Sequence, residues 1–270
     1  MKNYFEGYYF KHQGECDNKS VAFIPGVSRE GGFLQVVTAE KAYWFTAEQA
    51  KNCKFSKRGA SLDVKTDEVT VRGKIRYGGL TPLKYDIMGP FKYFPMECRH
   101  GIISMGHGLN GYVAINNRIF NFNNGLGYIE KDCGVSFPQS YLWAQCNFNQ
   151  GCSVSLAVAD IPFAGLNFKG CICVIYYNNK QYRLATYLGV KAFLSRKGNI
   201  HRVILRQGRY TLILSAAVKS ARRLPAPRNG RMSRTITESL ECPMRVRFYK
   251  RESLLFDLSS NKGSLEAVDI

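Results

Sequence analysis

Apolar residues recur at every second position along much of the chain, and a period of two predicts strands rather than helices. Val69, Val71, Ile75 and Tyr77 follow an alternating course with a break at Gly73. Val154, Leu156 and Val158 alternate with Ser153, Ser155 and Ala157, and Leu212 and Leu214 with Thr211 and Ile213. Val246 and Phe248 alternate with Arg245 and Arg247. Turn signals such as Asn123-Asn124-Gly125 and Tyr177-Asn178-Asn179-Lys180 punctuate these runs. Short alternating strands separated by Gly and Asn turns predict an all-β fold of the barrel or sandwich kind. No amphipathic helix of normal length interrupts the pattern. Residues 46–52 have room for one or two helical turns, so few short helices are expected.

The two halves read as weak copies of each other. Phe10 is matched by Phe148, Ile24-Pro25 by Ile161-Pro162, Gly32 by Gly170, and Lys41 and Tyr43 by Lys180 and Tyr182. Chance similarity between β sequences is the competing explanation, but the near-constant offset argues for duplication. The expected organisation is an N-terminal β domain over 1–137 and a C-terminal one over 138–270. At 270 residues the chain is long enough for two such cores.

Composition narrows the setting. The longest strongly apolar run, Cys171 to Tyr177, is far short of the ~20 residues of a spanning helix. The opening Met1-Lys2-Asn3-Tyr4-Phe5-Glu6 has no apolar signal core. The nine cysteines are odd in number and form no Cys-x-x-Cys pair. They are expected to pack as reduced thiols rather than to bind metal, in a soluble, cytoplasmic protein. The net charge of +18 is uneven: residues 191–251 hold sixteen Lys and Arg against Glu238 and Glu241. Such a stretch is either a solvated basic surface or one weakly attracted to an anionic membrane, with the protein then peripheral to it. No recognition helix, zinc finger or RNP-type motif accompanies it, so no specific nucleic-acid partner is expected.

Four stretches can carry chemistry. In Tyr4-Phe5-Glu6-Gly7-Tyr8-Tyr9-Phe10-Lys11, a strand puts Glu6 on one face with Tyr4, Tyr8 and Phe10. A carboxyl among rings would be raised in pKa and kept as an acid; one in water or paired with a cation would not. In Gly127-Tyr128-Ile129-Glu130-Lys131-Asp132-Cys133-Gly134, Glu130 and Asp132 point the same way roughly 7 Å apart, with Lys131 facing away. Two such carboxylates can divide into an acid and a base, or simply form a charged turn. His100 and His107 lie among glycines, and their odd separation sets them on opposite faces unless a bulge intervenes. Either is a candidate proton donor or a hydrogen-bonded structural residue. Finally Tyr141, Trp143, Gln145 and Asn147 line one face of a strand, a stripe suited to a binding wall or to an ordinary half-buried strand. No Gly-x-Ser-x-Gly elbow, P-loop or dinucleotide fingerprint is present, so no nucleotide cofactor is expected.

At these stretches the chain resembles the tocopherol cyclase family. Phe5 to Lys11 matches that family's Phe-Glu-Gly-Trp-Tyr-Phe-Lys start. Gly127 to Gly134 with Phe137-Pro138 matches its Gly-Tyr-Ile-Glu-Lys-Asp-Trp-Gly-x-x-Phe-Pro stretch. Tyr141 to Asn147 matches the aromatic-Trp-x-Gln-x-Asn strand, and Met96 to His107 its His-containing block. Tyr8 and Cys133 replace family tryptophans, which would alter a pocket they walled. The plant members are longer. The resemblance implies two lipocalin-like β domains and a non-redox ring closure of a prenylated hydroquinone, without a cofactor. It implies Asp132 or Glu6 as the acid, with Glu130, His100 or His107 as base or orienter. Tyr8, Tyr9, Tyr128 and Trp143 would line the ligand, and Gln145 and Asn147 would hold its hydroxyls. The alternative is a non-catalytic carrier of a small hydrophobic molecule.

Overall fold

A computed structural model describes residues 3–15, 19–149, 151–163 and 166–270 of the chain. It is all-β, as the alternation predicts. The first ten strands are β1 (Phe5–Gln13), β2 (Ser20–Ser28), β3 (Gly31–Thr38), β4 (Ala42–Thr46), β5 (Lys54–Ser56), β6 (Gly59–Lys65), β7 (Thr70–Tyr77), β8 (Cys98–Ile115), β9 (Arg118–Asn121) and β10 (Gly125–Gly134). The second ten are β11 (Tyr141–Phe148), β12 (Cys152–Phe163), β13 (Leu166–Tyr177), β14 (Lys180–Ala185), β15 (Lys191–Lys197), β16 (Ile200–Gln207), β17 (Tyr210–Ala217), β18 (Arg222–Arg228), β19 (Arg231–Lys250) and β20 (Ser253–Val268). Two 3-10 turns, Gly89–Tyr93 and Thr186–Leu188, are the helical elements among the described residues. Residues 46–52 make only a turn, closed by Ala50 N–H donating to the Thr46 carbonyl at 3.0 Å.

The strands form two antiparallel sheets of ten with one topology used twice. The first runs β4-β3-β2-β1-β10-β8-β7-β6-β5 and the second β14-β13-β12-β11-β20-β19-β17-β16-β15. β9 and β18 are appended to β8 and β19. Apart from Lys41, which just precedes β4, the residues matched between halves lie on strands of equal rank, but hairpin register does not carry over. Phe10 pairs with Phe23, whereas Phe148 pairs with Cys152, across a shorter connection. The repeat therefore preserves strand order while hairpin lengths have diverged.

Each sheet rolls around its own core. In the first, Phe10 of β1 meets Phe55 of β5 with ring centroids 5.3 Å apart, although the two strands are far apart in sheet order. Val21, Phe23, Val36, Phe45, Val64, Val113 and Ile129 fill that interior. In the second, Phe248 of β19 packs against Tyr182 of β14 at 5.1 Å, with Leu156, Cys173, Val203 and Leu214 around them. There the Gln207 side chain stands in for a missing strand pair. Its oxygen accepts from Ala185 N–H at 2.9 Å and its amide donates to the Arg183 carbonyl at 3.0 Å. The expected Asn turn joins β13 to β14: Asn178 and Asn179 take positive φ values of 49° and 60°, as a two-residue hairpin requires.

By contacts the chain divides into two units. The first comprises Met1–Lys84, Met96–Phe137 and Leu224–Thr235; the second comprises Tyr85–Pro95, Pro138–Arg223 and Ile236–Ile270. Two segments thus cross the seam read from the repeat, one in each direction. No helix among the described residues is long and apolar enough to cross a membrane. The eight described cysteines are free thiols, and burial raises the pKa of Cys152, Cys171 and Cys173.

Phe248 is fully buried against three rings, Tyr182, Tyr210 and Phe256. Phe248→Ala should cost about 3–5 kcal/mol, read as a lower urea midpoint with an unchanged m-value.

Candidate active site

Three neighbouring strands, β1, β10 and β8, build the site in the first unit. Pairing sets Gly7 opposite Asp132 and Tyr9 opposite Glu130. It sets Asp132 opposite His100 and Glu130 opposite Ile102. Alternation then brings Tyr9, Tyr128, Glu130, Asp132 and His100 onto one face. Phe10 and Ile129, of the opposite parity, point into the core.

On that face four side chains form a chain. The Nδ1–H of His100 donates to Asp132 Oδ1 at 2.8 Å. Its Nε2 lies 3.6 Å from Glu130 Oε2, an ion-pair distance longer than a hydrogen bond. Tyr128, wholly buried, donates its hydroxyl to the same Glu130 oxygen at 2.6 Å. Burial opposes the charged imidazolium, but the carboxylates of Asp132 and Glu130 outweigh it and hold His100 up at about 9. At neutral pH both ring nitrogens therefore carry protons. The two carboxylates come closer than the rise along one strand implies, because both lean toward His100. One donor atom from each of the three residues lies within 4.8 Å of the others. A divalent cation could be held by this set only if His100 gave up a proton; strand pairing, not a local motif, assembles it.

Room adjoins the chain. A Cβ built on Gly7 meets nothing within 4 Å, so open space lies beside Asp132. Lys11, opposite Tyr128 in register, is 1% exposed on the same face. It was part of the first stretch but drew no role from the sequence, where it reads as an ordinary surface lysine.

Other candidates fall elsewhere. Glu6 and Tyr8 lie on the opposite face of β1. Lys131 faces away from Glu130 and Asp132 as expected, and its Nζ reaches Glu6 at 2.9 Å. Tyr4 and Tyr8 hydroxyls donate to the same carboxylate at 2.9 and 3.4 Å. Desolvation would raise Glu6, but Lys131 and the two hydroxyls prevail and lower it. Of the two alternatives for Glu6, the structure shows the one paired with a cation: the rings around it bring hydroxyl donors as well as apolar surface. Tyr8 and Cys133, the two departures from the family tryptophans, share this face rather than that of His100.

His107 lies inside the first core. Its Nδ1 is 3.0 Å from Ser104 Oγ, and its ring packs at a tilt against Tyr77 with centroids 4.7 Å apart. The Tyr77 hydroxyl is 2.7 Å from His12 Nε2. Burial pushes His107 down to about 4 and His12 down to about 3, so both are neutral. Close approach of the His107 ring requires a glycine at 127, where a Cβ would come within 2.2 Å of Nε2. Trp143, Gln145 and Asn147 belong to the second unit and are buried there. Gln145 donates its amide to Asn147 Oδ1 at 3.0 Å, and Ser153 its hydroxyl to the same oxygen at 2.7 Å.

Comparison with known proteins places this arrangement in context. The family model described as tocopherol cyclase-like matches residues 65–268. A probable chloroplastic tocopherol cyclase of Oryza sativa subsp. japonica is 32% identical over 131 residues, 45% of this chain and 27% of that protein. A chloroplastic tocopherol cyclase of Zea mays is 33% identical over 95 residues, 34% of this chain and 20% of its own length. The match thus spans about a quarter of those plant proteins. Among solved structures, CghA with Sch210972 superposes with a TM-score of 0.66 at 8% identity, covering 99% of this chain and 88% of CghA. Kievitone hydratase from Nectria haematococca gives 0.53 at 11% identity, covering 98% and 88%. These two share the fold.

The raised pKa of His100 links stability to pH. The folded chain keeps a proton up to about pH 9, which the unfolded chain releases near the ordinary histidine value of about 6.5. The folded state then binds more protons in that window, so stability falls as pH rises through it. Thermal midpoints of wild type should fall from pH 6.5 to 9 more steeply than those of His100→Gln; parallel curves would refute the linkage.

Proposed function

The chain belongs to the tocopherol cyclase-like family, and on that footing we propose that it closes a ring in a small, lipophilic, prenylated hydroquinone-like substrate. The observation that carries this reading is the continuous series Asp132, His100, Glu130 and Tyr128, bordered by open space at Gly7. Such a closure adds a phenol O–H across a trisubstituted alkene. One C–O and one C–H bond form, one O–H bond and the alkene π bond break, and no net oxidation or reduction occurs. The site needs a proton donor, a proton acceptor and a dry setting for both.

His100 is the donor in this reading. Asp132 engages its Nδ1–H and fixes the ring, leaving the Nε2 proton without a full hydrogen bond. Glu130, steadied by Tyr128, accepts the phenol proton. An acid held at about 9 is too weak to generate a free tertiary cation. The phenol oxygen must therefore attack as the alkene carbon is protonated, so that positive charge stays partial. The buried Tyr9 ring beside Glu130 offers an aromatic face to that charge. Afterwards the proton on Glu130 returns to Nε2 across 3.6 Å, which restores the starting state. Glu6, tied to Lys131 on the other face, has no part in the transfer.

The test is anaerobic incubation with prenylated hydroquinones and chromatographic separation, since product and substrate have equal mass. A new isomer is expected, formed at a rate that declines above about pH 9 as His100 loses its proton. His100→Gln and Glu130→Gln should each lower kcat by about 10²- to 10⁴-fold, while Glu6→Gln stays near wild type. Gly7→Leu should raise KM by filling the space beside Asp132. Tight retention of the hydroquinone with no isomer would make the protein a carrier.

A further inference from the structure

We propose that the outward face of the second sheet, over β15, β16, β17 and β19, docks on an anionic lipid surface. Val203, Leu205, Leu212, Leu214, Val246 and Phe248 point into the core of that sheet. Residues of the other parity therefore face outward. Register aligns them in rows. Phe193 lies opposite Ile204 and Ile204 opposite Ile213, which makes one apolar row across three strands. On one side of it Lys191 lies opposite Arg206; on the other, Arg202 lies opposite Ser195. Lys197 and Ile200 pair at the next position.

Two properties of this face point to lipid. The first is unbalanced charge. No Asp or Glu occurs between Lys191 and Thr237. Among the described residues, the exposed Lys191, Arg202 and Arg206 have no carboxylate partner. At the β19 edge of this face Arg245 is paired with Asp257 at 2.7 and 2.5 Å, much as Arg72 bonds Asp63 at 2.9 Å in the first unit, so the unbalanced cations are those of β15 and β16. The second is that the cations are interleaved with large apolar side chains left in water. Phe193 is 51% exposed and Ile200 47%, and Leu254 of β20, which extends the face by pairing with Tyr249 of β19, is 51% exposed. An anionic bilayer rewards both features, through attraction of Lys and Arg to headgroups and burial of apolar side chains at the acyl boundary. A nucleic-acid backbone would reward only the charge. The face is remote in sequence from His100 and does not depend on ring closure, so the two readings stand or fall separately.

Flotation of the full chain with vesicles tests this. The protein should float with phosphatidylcholine–phosphatidylserine vesicles, stay behind with phosphatidylcholine alone, and be released by salt. Each basic side chain near an anionic surface is worth about a fivefold gain in partition. Arg202→Gln with Arg206→Gln should therefore weaken binding about 25-fold, and the corresponding Glu pair more. Phe193→Ser with Leu254→Ser should weaken it about tenfold or more. All four positions are solvent-facing, and an unchanged urea midpoint checks that each variant is folded. Absence of flotation with anionic vesicles overturns the proposal. So does binding indifferent to the arginine pair, or binding that ignores the apolar pair and is competed away by duplex DNA.

Discussion

Two carboxylates sharing one imidazolium are the constraint around which the first sheet is arranged. Glu130 is 5% exposed and Asp132 lies within hydrogen-bond reach of the same ring. Charges withdrawn from water are costly unless paired in good geometry. His100 faces both of them, and it does so only if β8 lies beside β10 in the observed register. A slip of one residue would turn His100 to the inner face and leave both carboxylates uncompensated. The register shifts between Gly127 and Glu130 absorb the mismatch with β8, which keeps His100 outside and His107 inside.

The two faces of one sheet thereby give the same residue type opposite properties. His12 and His107 are surrounded by rings and apolar side chains, and burial keeps them neutral. His100 is also withdrawn from solvent, yet two carboxylates reverse the balance and keep it charged. Glu6 and Glu130 divide in the same manner. One is held ionised by a lysine on the inner face, and the other stands in the chain with Tyr128 and His100 on the outer.

The repeated strand order shows how little topology dictates chemistry. Both sheets place the last strand of their unit beside the first. In one, that pair carries Tyr9, Glu130 and Asp132; in the other, it carries Tyr141, Trp143 and Glu266, with the Tyr141 hydroxyl donating to Glu266 at 2.6 Å. Among the described residues the second pair has no histidine counterpart to His100, and beside Glu266 its polar groups are the amides of Gln145 and Asn147 and the hydroxyl of Ser153. The same scaffold carries a series centred on a charged histidine in one unit and a row without one in the other.

The alternation of Val69 to Tyr77 or of Val154 to Val158 was enough to specify strands, and the Asn178-Asn179 pair its hairpin, because both depend on neighbours along the chain. The common face of Glu130 and Asp132, and the placing of Lys131 on the opposite one, likewise follow from a period of two. The partner strands were not legible. That Asp132 would meet His100, thirty-two residues earlier, and that Glu6 would meet Lys131, depended on which strands lie side by side and in what register. The same holds for hairpin register in the second copy and for the two segments that cross the seam between units. Periodicity is a local property set by pleat and turn chemistry. Pairing between distant strands is decided only when the whole sheet closes around its core, and the charge state of every buried group follows from that closure.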